Sequence, residues 1–212
     1  MSEPSLRIKT LAKMVQGYKI VLDCGADHGY TLLYALENNY IDEGIASDIR
    51  EIPLSVAKNN LEGYNCSFYL CDGIKSINRD YDAVIISGMG VDNIIKILRE
   101  ADKDSIFILQ PNTKYDILRE FLTNNNFIII DEEVISDGHF YCIIKVKRGF
   151  MELNQEDIYL GPILKEKKEA LSYYQFMLEI EKKIYRNNAK EHRNSYKINA
   201  LINIIGYLEI KK

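Results

Sequence analysis

The chain has 212 residues, 47% hydrophobic and 27% charged, a composition that excludes a disordered chain. No apolar run approaches the roughly 20 residues of a bilayer-spanning helix, and the opening MSEPSLRIK has no signal-peptide core, so a soluble, cytoplasmic protein is expected. The net charge of −4 does not advertise a nucleic-acid binder, but it is unevenly spread: residues 163–212 carry 11 Lys/Arg against 6 Asp/Glu, a net of +5, which leaves −9 on residues 1–162.

Residues 5–16 (SLRIKTLAKMVQ) place Leu6, Ile8, Leu11, Met14 and Val15 at helical spacing, with Ser5 as N-cap and Gly17 as stop. Strand-like runs follow at 19–24, 43–48, 66–71, 82–87, 105–110, 127–135 and 139–146, and helical patterns at 29–38, 50–61, 90–101 and 113–124 fill most of the gaps. Continuous apolar strands such as VIIS and IFIL indicate burial on both faces, as in a parallel sheet. Strands alternating with helices imply right-handed βαβ units. Only SDG (136–138) joins the last two strands, so that connection is a hairpin and the final strand runs antiparallel. Five βα units ending in an antiparallel hairpin predict an α/β fold with the Rossmann-like sheet of a class I methyltransferase. A six-stranded parallel dinucleotide-binding sheet ends differently. Cys24, Cys66, Cys71 and Cys142 form no C-x-x-C pair; reduced thiols are expected, and no metal site.

The pattern changes after Arg148. Residues 149–163, with two glycines and Pro162, read as a connection. Leu164, Leu171, Leu178 and Tyr185 then fall seven apart, with Tyr174 between them, and a second stripe runs through Ile198, Leu201, Ile205 and Leu208. Asn187, Asn188 and the polar residues after them separate the stripes. The expectation is an antiparallel coiled-coil hairpin over 151–212, following an α/β domain over 1–150.

Ligands of open α/β sheets bind outside the carboxyl ends of the strands. The first such end is D-C-G-A-D-H-G (23–29), where Gly25 permits a tight turn and Gly29 a close approach. It is not G-x-G-x-x-G, the turn that cradles a pyrophosphate. An acid followed by G-x-x-x-G is the turn type that holds S-adenosyl-L-methionine (SAM), which has no phosphate for carboxylates to repel. The second end, I-A-S-D, puts Asp48 where both ribose hydroxyls can be bound. The third, C-D-G, puts Asp72 and Gly73 near an adenine amino group. Singly, each acid reads better as a helix cap or loop residue than as a ligand contact; three at successive strand ends reverse that and read as one site. The fourth end, I-S-G-M-G (86–90), is a small turn under the cofactor containing Gly88 and Met89. The fifth, L-Q-P-N (109–112), stops at a proline between two amides. Several base-modifying methyltransferases carry a polar-Pro-Pro-aromatic turn here; this one has amides and no aromatic.

These ends, with SLRIKTLA (5–12), IASDIREIPLSVAKNN (45–60), FYCIIKV (140–146) and YLGPILKEKKEAL (159–171), resemble the bacterial tRNA (adenine-22 N1)-methyltransferase family, TrmK, over nearly the whole chain. D-x-G-x-D-H, S-G-M-G and L-Q-P-N in this order are far more specific than any one of them. There are departures. Ala26 stands where serine is usual, Gly29 where alanine is frequent and Asp48 where glutamate is common; S-G-M-G-V replaces A-G-M-G-G, and the C-terminal part is short.

The resemblance implies a SAM-dependent enzyme acting on tRNA. Residues 1–150 become the SAM-binding catalytic domain and 151–212 the tRNA-facing hairpin. Asp23, Gly25, Asp27, His28 and Gly29 form the turn at the methionine end of SAM. Asp48 binds the ribose, Asp72 and Gly73 the adenine, and Gly88 lies beneath. Gln110, Pro111 and Asn112 hold the target base, with Met89 near the methyl. Tyr141 either stacks on the base or fills space. His28 is a loop histidine or a contact within the turn, and Arg7 reaches the SAM carboxylate, a phosphate or solvent. Lys182, Lys183, Arg186, Lys190 and Arg193 are candidates for a phosphate-binding face. A monomer is expected. The rival readings are a small-molecule SAM methyltransferase, a non-catalytic RNA-binding module on a SAM fold and, from a third class, a nicotinamide dehydrogenase.

Overall fold

The computed structural model describes residues 3–101, 104–187 and 193–211. Helix α1 (Leu6–Met14) opens the fold; the Ser5 side chain caps it by accepting the Ile8 N–H at 3.4 Å. Four βα units and one strand without a helix follow, where five βα units are expected from the sequence: β1 (Ile20–Cys24), α2 (Tyr30–Glu37), β2 (Glu43–Asp48), α3 (Glu51–Asn60), β3 (Cys66–Leu70), β4 (Ala83–Met89), α4 (Val91–Arg99), β5 (Ile106–Pro111) and α5 (Tyr115–Asn124). Strands β6 (Phe127–Asp137) and β7 (His139–Arg148) form the terminal hairpin around Gly138. Residues 71–82 join β3 to β4 without an α-helix.

One seven-stranded sheet results, in the order β3-β2-β1-β4-β5-β7-β6. All neighbours are parallel except β7, which is antiparallel to both β5 and β6. This is the Rossmann-like methyltransferase sheet expected from the strand pattern. The chain reverses direction across the sheet between β1 and β4, so the carboxyl ends of these two strands frame the ligand crevice.

Strand periodicity fills both faces. Val21, Ala46, Ile85, Ile108 and Ile143 point to the side covered by α1, α2 and α3, where Leu11, Leu32 and Leu54 meet them. Their neighbours Leu22, Ile45, Ile86, Leu109 and Ile144 point to the other side, against Ile94 of α4 and Leu118 of α5. Fully burying each Val, Leu or Ile side chain among these stabilises the fold by about 1.5–3 kcal/mol.

The C-terminal region differs in detail from its sequence pattern. The expected connection contains α6 (Gln155–Leu160), closed by a capping box in which the Asn154 side chain accepts the Asp157 N–H while the Asp157 side chain accepts the Asn154 N–H. Leu164 is not on a coiled-coil helix. It sits in the first of two 3₁₀ turns, Leu164–Glu166 and Lys168–Ala170. Helices α7 (Leu171–Asn187) and α8 (Arg193–Ile210) then form the hairpin. Tyr173, Tyr174, Leu201 and Leu208 are buried in the same apolar cluster as β5, β7 and α5, so the hairpin base and the sheet share one core. Tyr185 of the expected stripe is exposed instead. Lys190 lies outside the described residues, as does the side chain of Arg193.

All four cysteines are free thiols; Cys24 and Cys142 are buried, Cys66 and Cys71 half-buried. No helix among the described residues is long and apolar enough to cross a membrane.

Candidate active site

The turn after β1 is built by backbone. The N–H groups of Gly25 and Ala26 both donate to the Ser47 carbonyl at 2.8 Å, which ties the turn to the end of β2. Gly25 has φ +80°, and a Cβ there would lie 2.3 Å from Met89 Cε. The positive φ favours glycine here, and a Cβ would also push the end of the Met89 side chain aside. Gly29 serves a different contact: its missing Cβ makes room for Leu61 and Ala57 at the end of α3.

An open cleft of about 620 Å³ lies over the carboxyl ends of β1, β2, β3 and β4. Arg7, Asp23, Gly25, Asp27 and His28 line one part of it; Asp48, Asp72, Gly73, Gly88 and Met89 line the rest. Gly29, Gln110, Pro111, Asn112 and Tyr141 stand outside its wall.

The three acids occupy unlike environments. Asp23 is buried, and burial pushes its carboxyl up to about 7 against the pull of the Arg7 guanidinium, with Asp48 and Asp27 adding to the rise. Among the described residues no donor hydrogen-bonds this carboxylate. Asp48 is also buried but held: Oδ1 accepts from the backbone N–H and Nε of Arg50 at 2.9 and 3.3 Å, and Oδ2 accepts from the Asp27 N–H at 3.1 Å. A carboxylate has about four lone-pair positions, so Asp48 keeps acceptor capacity toward the cleft. Asp72 is exposed and pairs with Lys96 Nζ at 2.6 Å. His28 Nδ1 is buried without a hydrogen-bond partner among the described residues, while Nε2 stands 3.7 Å from Asp27.

The fifth strand end is arranged differently from the expectation that its amides face a base. The β4–β5 ladder slips between Ser87 and Met89, leaving Gly88, at φ +72°, as a bulge. A bulged residue loses its ladder partners, and the Q-P-N turn replaces them. Gln110 Oε1 accepts the Gly88 N–H at 3.2 Å, and Asn112 Nδ2 donates to the Gly88 carbonyl at 3.2 Å. The Asn112 N–H donates to the Met89 carbonyl at 2.8 Å. Gln110 is fully buried; its Oε1 also accepts from Arg7 Nη1 at 3.2 Å, and its Nε2 donates to the Pro111 carbonyl at 2.8 Å. Asn112 is exposed.

Two cations that strand-end reading missed complete the cleft. Arg50 bridges Asp48 and Asp27, and Lys96 covers Asp72. Their signal is positional. Arg50 follows Asp48 by two residues, and Asn93, Lys96 and Ile97 form the i, i+3, i+4 face of α4 that begins above the S-G-M-G turn. Among the described residues no group of three or more His, Cys, Asp or Glu is placed to hold a metal ion.

Residues 21–207 match the family model described as tRNA (adenine(22)-N(1))-methyltransferase, TrmK. The chain belongs to this family. The tRNA (adenine(22)-N(1))-methyltransferase of Bacillus subtilis strain 168 is 30% identical over 194 residues, 84% of this chain and 81% of that protein. Among solved structures, M. capricolum TrmK with its cofactor product S-adenosyl-homocysteine superposes with a TM-score of 0.80 at 25% identity, over 99% of each chain. A Streptococcus pneumoniae protein, Sp1610, in complex with SAM superposes with a TM-score of 0.84 at 27% identity, over 96% of this chain and 100% of that one. As a TrmK family member the chain is a SAM-dependent tRNA methyltransferase acting on N1 of adenine 22.

Proposed function

We propose that the cleft over β1–β4 is the SAM site of this TrmK and that each strand end has a separate task there. The carrying observation is Asp23, a buried carboxylate without a hydrogen-bond donor among the described residues, facing a cleft that Asp48 and Asp72 also line. Such a group calls for a cationic, donor-rich partner, and the ammonium of SAM's methionine end has that chemistry. Gly25, Asp27 and His28 shape the same end, and Arg7 supplies a cation for the ligand's carboxylate. Asp48 takes the ribose, and Asp72 with Gly73 the adenine. SAM, when bound, supplies a methyl group on a positively charged sulfonium.

The protein's part is mainly alignment. Neutral adenine N1 has an in-plane lone pair, so no side chain has to remove a proton before methyl transfer. Holding the reacting atoms in line at near-attack distance is then the dominant contribution. Met89, set by the Gly88 bulge and the space over Gly25, borders the reacting position. Gln110 cannot touch a base from its buried place; it positions Gly88 and Arg7. Asn112 is exposed, and its Oδ1 is available to accept from the adenine amino group. Pro111 fixes the turn between them. N1 lies on the Watson–Crick edge, so the target base leaves its stack before it reaches this site.

We also take 1–150 as the catalytic unit and 151–212 as the tRNA-facing hairpin of a cytoplasmic monomer. Lys182, Lys183 and Arg186 near the end of α7 would track tRNA phosphates, with Lys190 and Arg193 in the following segment. The test is methyl transfer from labelled SAM to unmodified tRNA transcripts, read by nucleoside mass spectrometry. One N1-methyladenosine at position 22, lost when that adenine is replaced, is the expected result. SAM binding with no tRNA product overturns the substrate reading.

A further inference from the structure

We propose that His139, Tyr141 and Arg7 form a stacking platform for the unpaired nucleobase that flanks the target adenine in tRNA. The proposal rests on the tRNA reading of the cleft and adds a second base-binding position beside it.

Four observations converge. First, strand alternation in β7 puts His139 and Tyr141 on one face and Phe140 on the other. The His139 and Tyr141 rings lie 4.1 Å apart at 44°, and the Arg7 guanidinium sits 5.6 Å from the Tyr141 centroid. Second, the stack adjoins the reacting end of the cleft. Arg7 lines the cleft and donates to Gln110, the residue that holds the Gly88 bulge. The β5–β7 pairing runs as far as Leu109 opposite Ile144, so β7 passes beside the strand that ends in the Q-P-N turn. Third, the platform is anchored. Phe140 packs against Tyr173 and Phe176 of α7 at 5.6 and 5.2 Å, and Asp137 Oδ2 accepts the Arg7 N–H at 3.3 Å, which ties α1 to the hairpin tip. Fourth, His139 is exposed, and the adjoining Gly138, at φ +77°, has open space where a side chain would be.

An exposed imidazole over a tyrosine contributes little to a core. It presents a flat, partly polar surface at the rim of the site. Unstacked bases are held on such aromatic and guanidinium planes, and every base has a π-face to offer. The Q-P-N turn carries no aromatic ring of its own, so the neighbouring strand β7 supplies the stacking surface that the turn lacks. Extruding adenine 22 breaks its stacking with its neighbours; a platform at the rim gives one neighbour a replacement.

The experiment compares wild type, His139→Ala and His139→Phe with an unmodified tRNA transcript. SAM Kd, tRNA KM and the single-turnover rate at saturating tRNA are measured for each. We expect His139→Ala to raise tRNA KM about tenfold, with SAM Kd and the saturating rate within about twofold of wild type. His139→Phe, which keeps the ring and loses the nitrogens, is expected to restore KM. A wild-type KM in the Ala variant, or a Phe variant as weak as Ala, overturns the platform. A second arm uses wild type alone: transcripts with 2-aminopurine at position 21 or 23 are titrated with enzyme. Quenching at one of the two supports stacking; no quenching at either overturns it. Failure of the tRNA reading itself is separately visible, because wild type would then bind SAM and methylate no transcript.

Discussion

Gln110 Oε1 accepts the backbone N–H of Gly88 at 3.2 Å, so a buried side chain on β5 fixes the bulge of β4. The bulge in turn places Met89 over Gly25. Replacing Gln110 by Leu leaves the Gly88 N–H and an Arg7 donor without their acceptor, at a cost of about 1–3 kcal/mol. Stability should fall by that amount in chemical denaturation, and kcat by tenfold or more, because the bulge no longer holds Met89. Gln110→Glu keeps the acceptor for Gly88 and Arg7 but replaces the Nε2 donor to the Pro111 carbonyl with a carboxylate oxygen, so it should recover only part of both. A Leu variant with wild-type kcat would rule out this positioning role.

Asp23 opposes stability for the sake of its ligand. Lifting a carboxyl from about 4 to about 7 corresponds to on the order of 4 kcal/mol between the two protonation states. The sign follows from linkage. The unfolded chain ionises Asp23 near pH 4, whereas the folded chain does so only near pH 7, so the folded state loses stability as pH rises between the two. Asp23→Asn should therefore raise the Tm of the ligand-free protein, most above pH 7 and progressively less toward pH 4. The same variant should bind SAM at least a hundredfold more weakly. In wild type, SAM affinity at pH 6 should be about five- to tenfold below that at pH 7.5, since the ammonium partner needs an ionised carboxylate. Calorimetric titrations at the two pH values check this; equal affinities would disconnect Asp23 from the ammonium.

Much of this site was legible in the sequence because strand ends are local. Asp23, Asp48 and Asp72 each follow an apolar run, and the sheet topology brings successive ends to one edge. The antiparallel hairpin was legible for the same reason, since SDG is too short for a crossover. What was not legible depends on contacts far apart in the chain. Nothing in L-Q-P-N reveals that Gln110 turns inward, because the bulge that needs it lies 22 residues earlier. Arg119 and Glu132 lie in an amphipathic helix and a hairpin strand whose local patterns single out neither, yet both are buried. The heptad through Leu164 misled because a turn and a coiled-coil seam both need a buried leucine; Gly161 and Pro162 end regular helix before it.

Lys96 and Asp72 form an exposed pair across the position proposed for adenine. A ligand amino group and the lysine would compete for one carboxylate. Lys96→Met should therefore tighten SAM binding, by no more than about fivefold because exposed pairs are weak. The gain should shrink at high ionic strength, where wild type already loses the pair. Asp72→Asn should shift affinity the other way. If Lys96→Met weakens SAM binding, the lysine contacts the ligand directly and the competition model is wrong.

Arg119 Nε donates to Glu132 Oε1 at 2.7 Å, with both side chains at most 1% exposed. Arg119 Nη1 also donates to the carbonyls of Ile158 and Tyr159, while Glu132 Oε2 accepts the N–H groups of Ile163 and Leu164 at 2.9 Å. The pair thus joins α5 and β6 to the segment leading into the helical hairpin. Gly161, at φ +98°, passes so close that a Cβ would lie 2.7 Å from both Arg119 Nη2 and Glu132 Oε2. Arg119→Met should cost about 3–5 kcal/mol, because it leaves a buried carboxylate without its counter-charge. Gly161→Ala should also destabilise, through strain at positive φ and displacement of the pair. The double variant Arg119→Met/Glu132→Gln removes both charges and keeps an acceptor for Ile163 and Leu164. It should recover at least about 2 kcal/mol relative to Arg119→Met alone, a non-additivity measured by equilibrium denaturation of wild type, Arg119→Met, Glu132→Gln and the double variant. Since the pair holds the segment that leads into the hairpin, Arg119→Met should raise tRNA KM several-fold while SAM Kd stays near wild type. Parallel losses in both would mean that the pair supports the whole fold and not the hairpin's orientation.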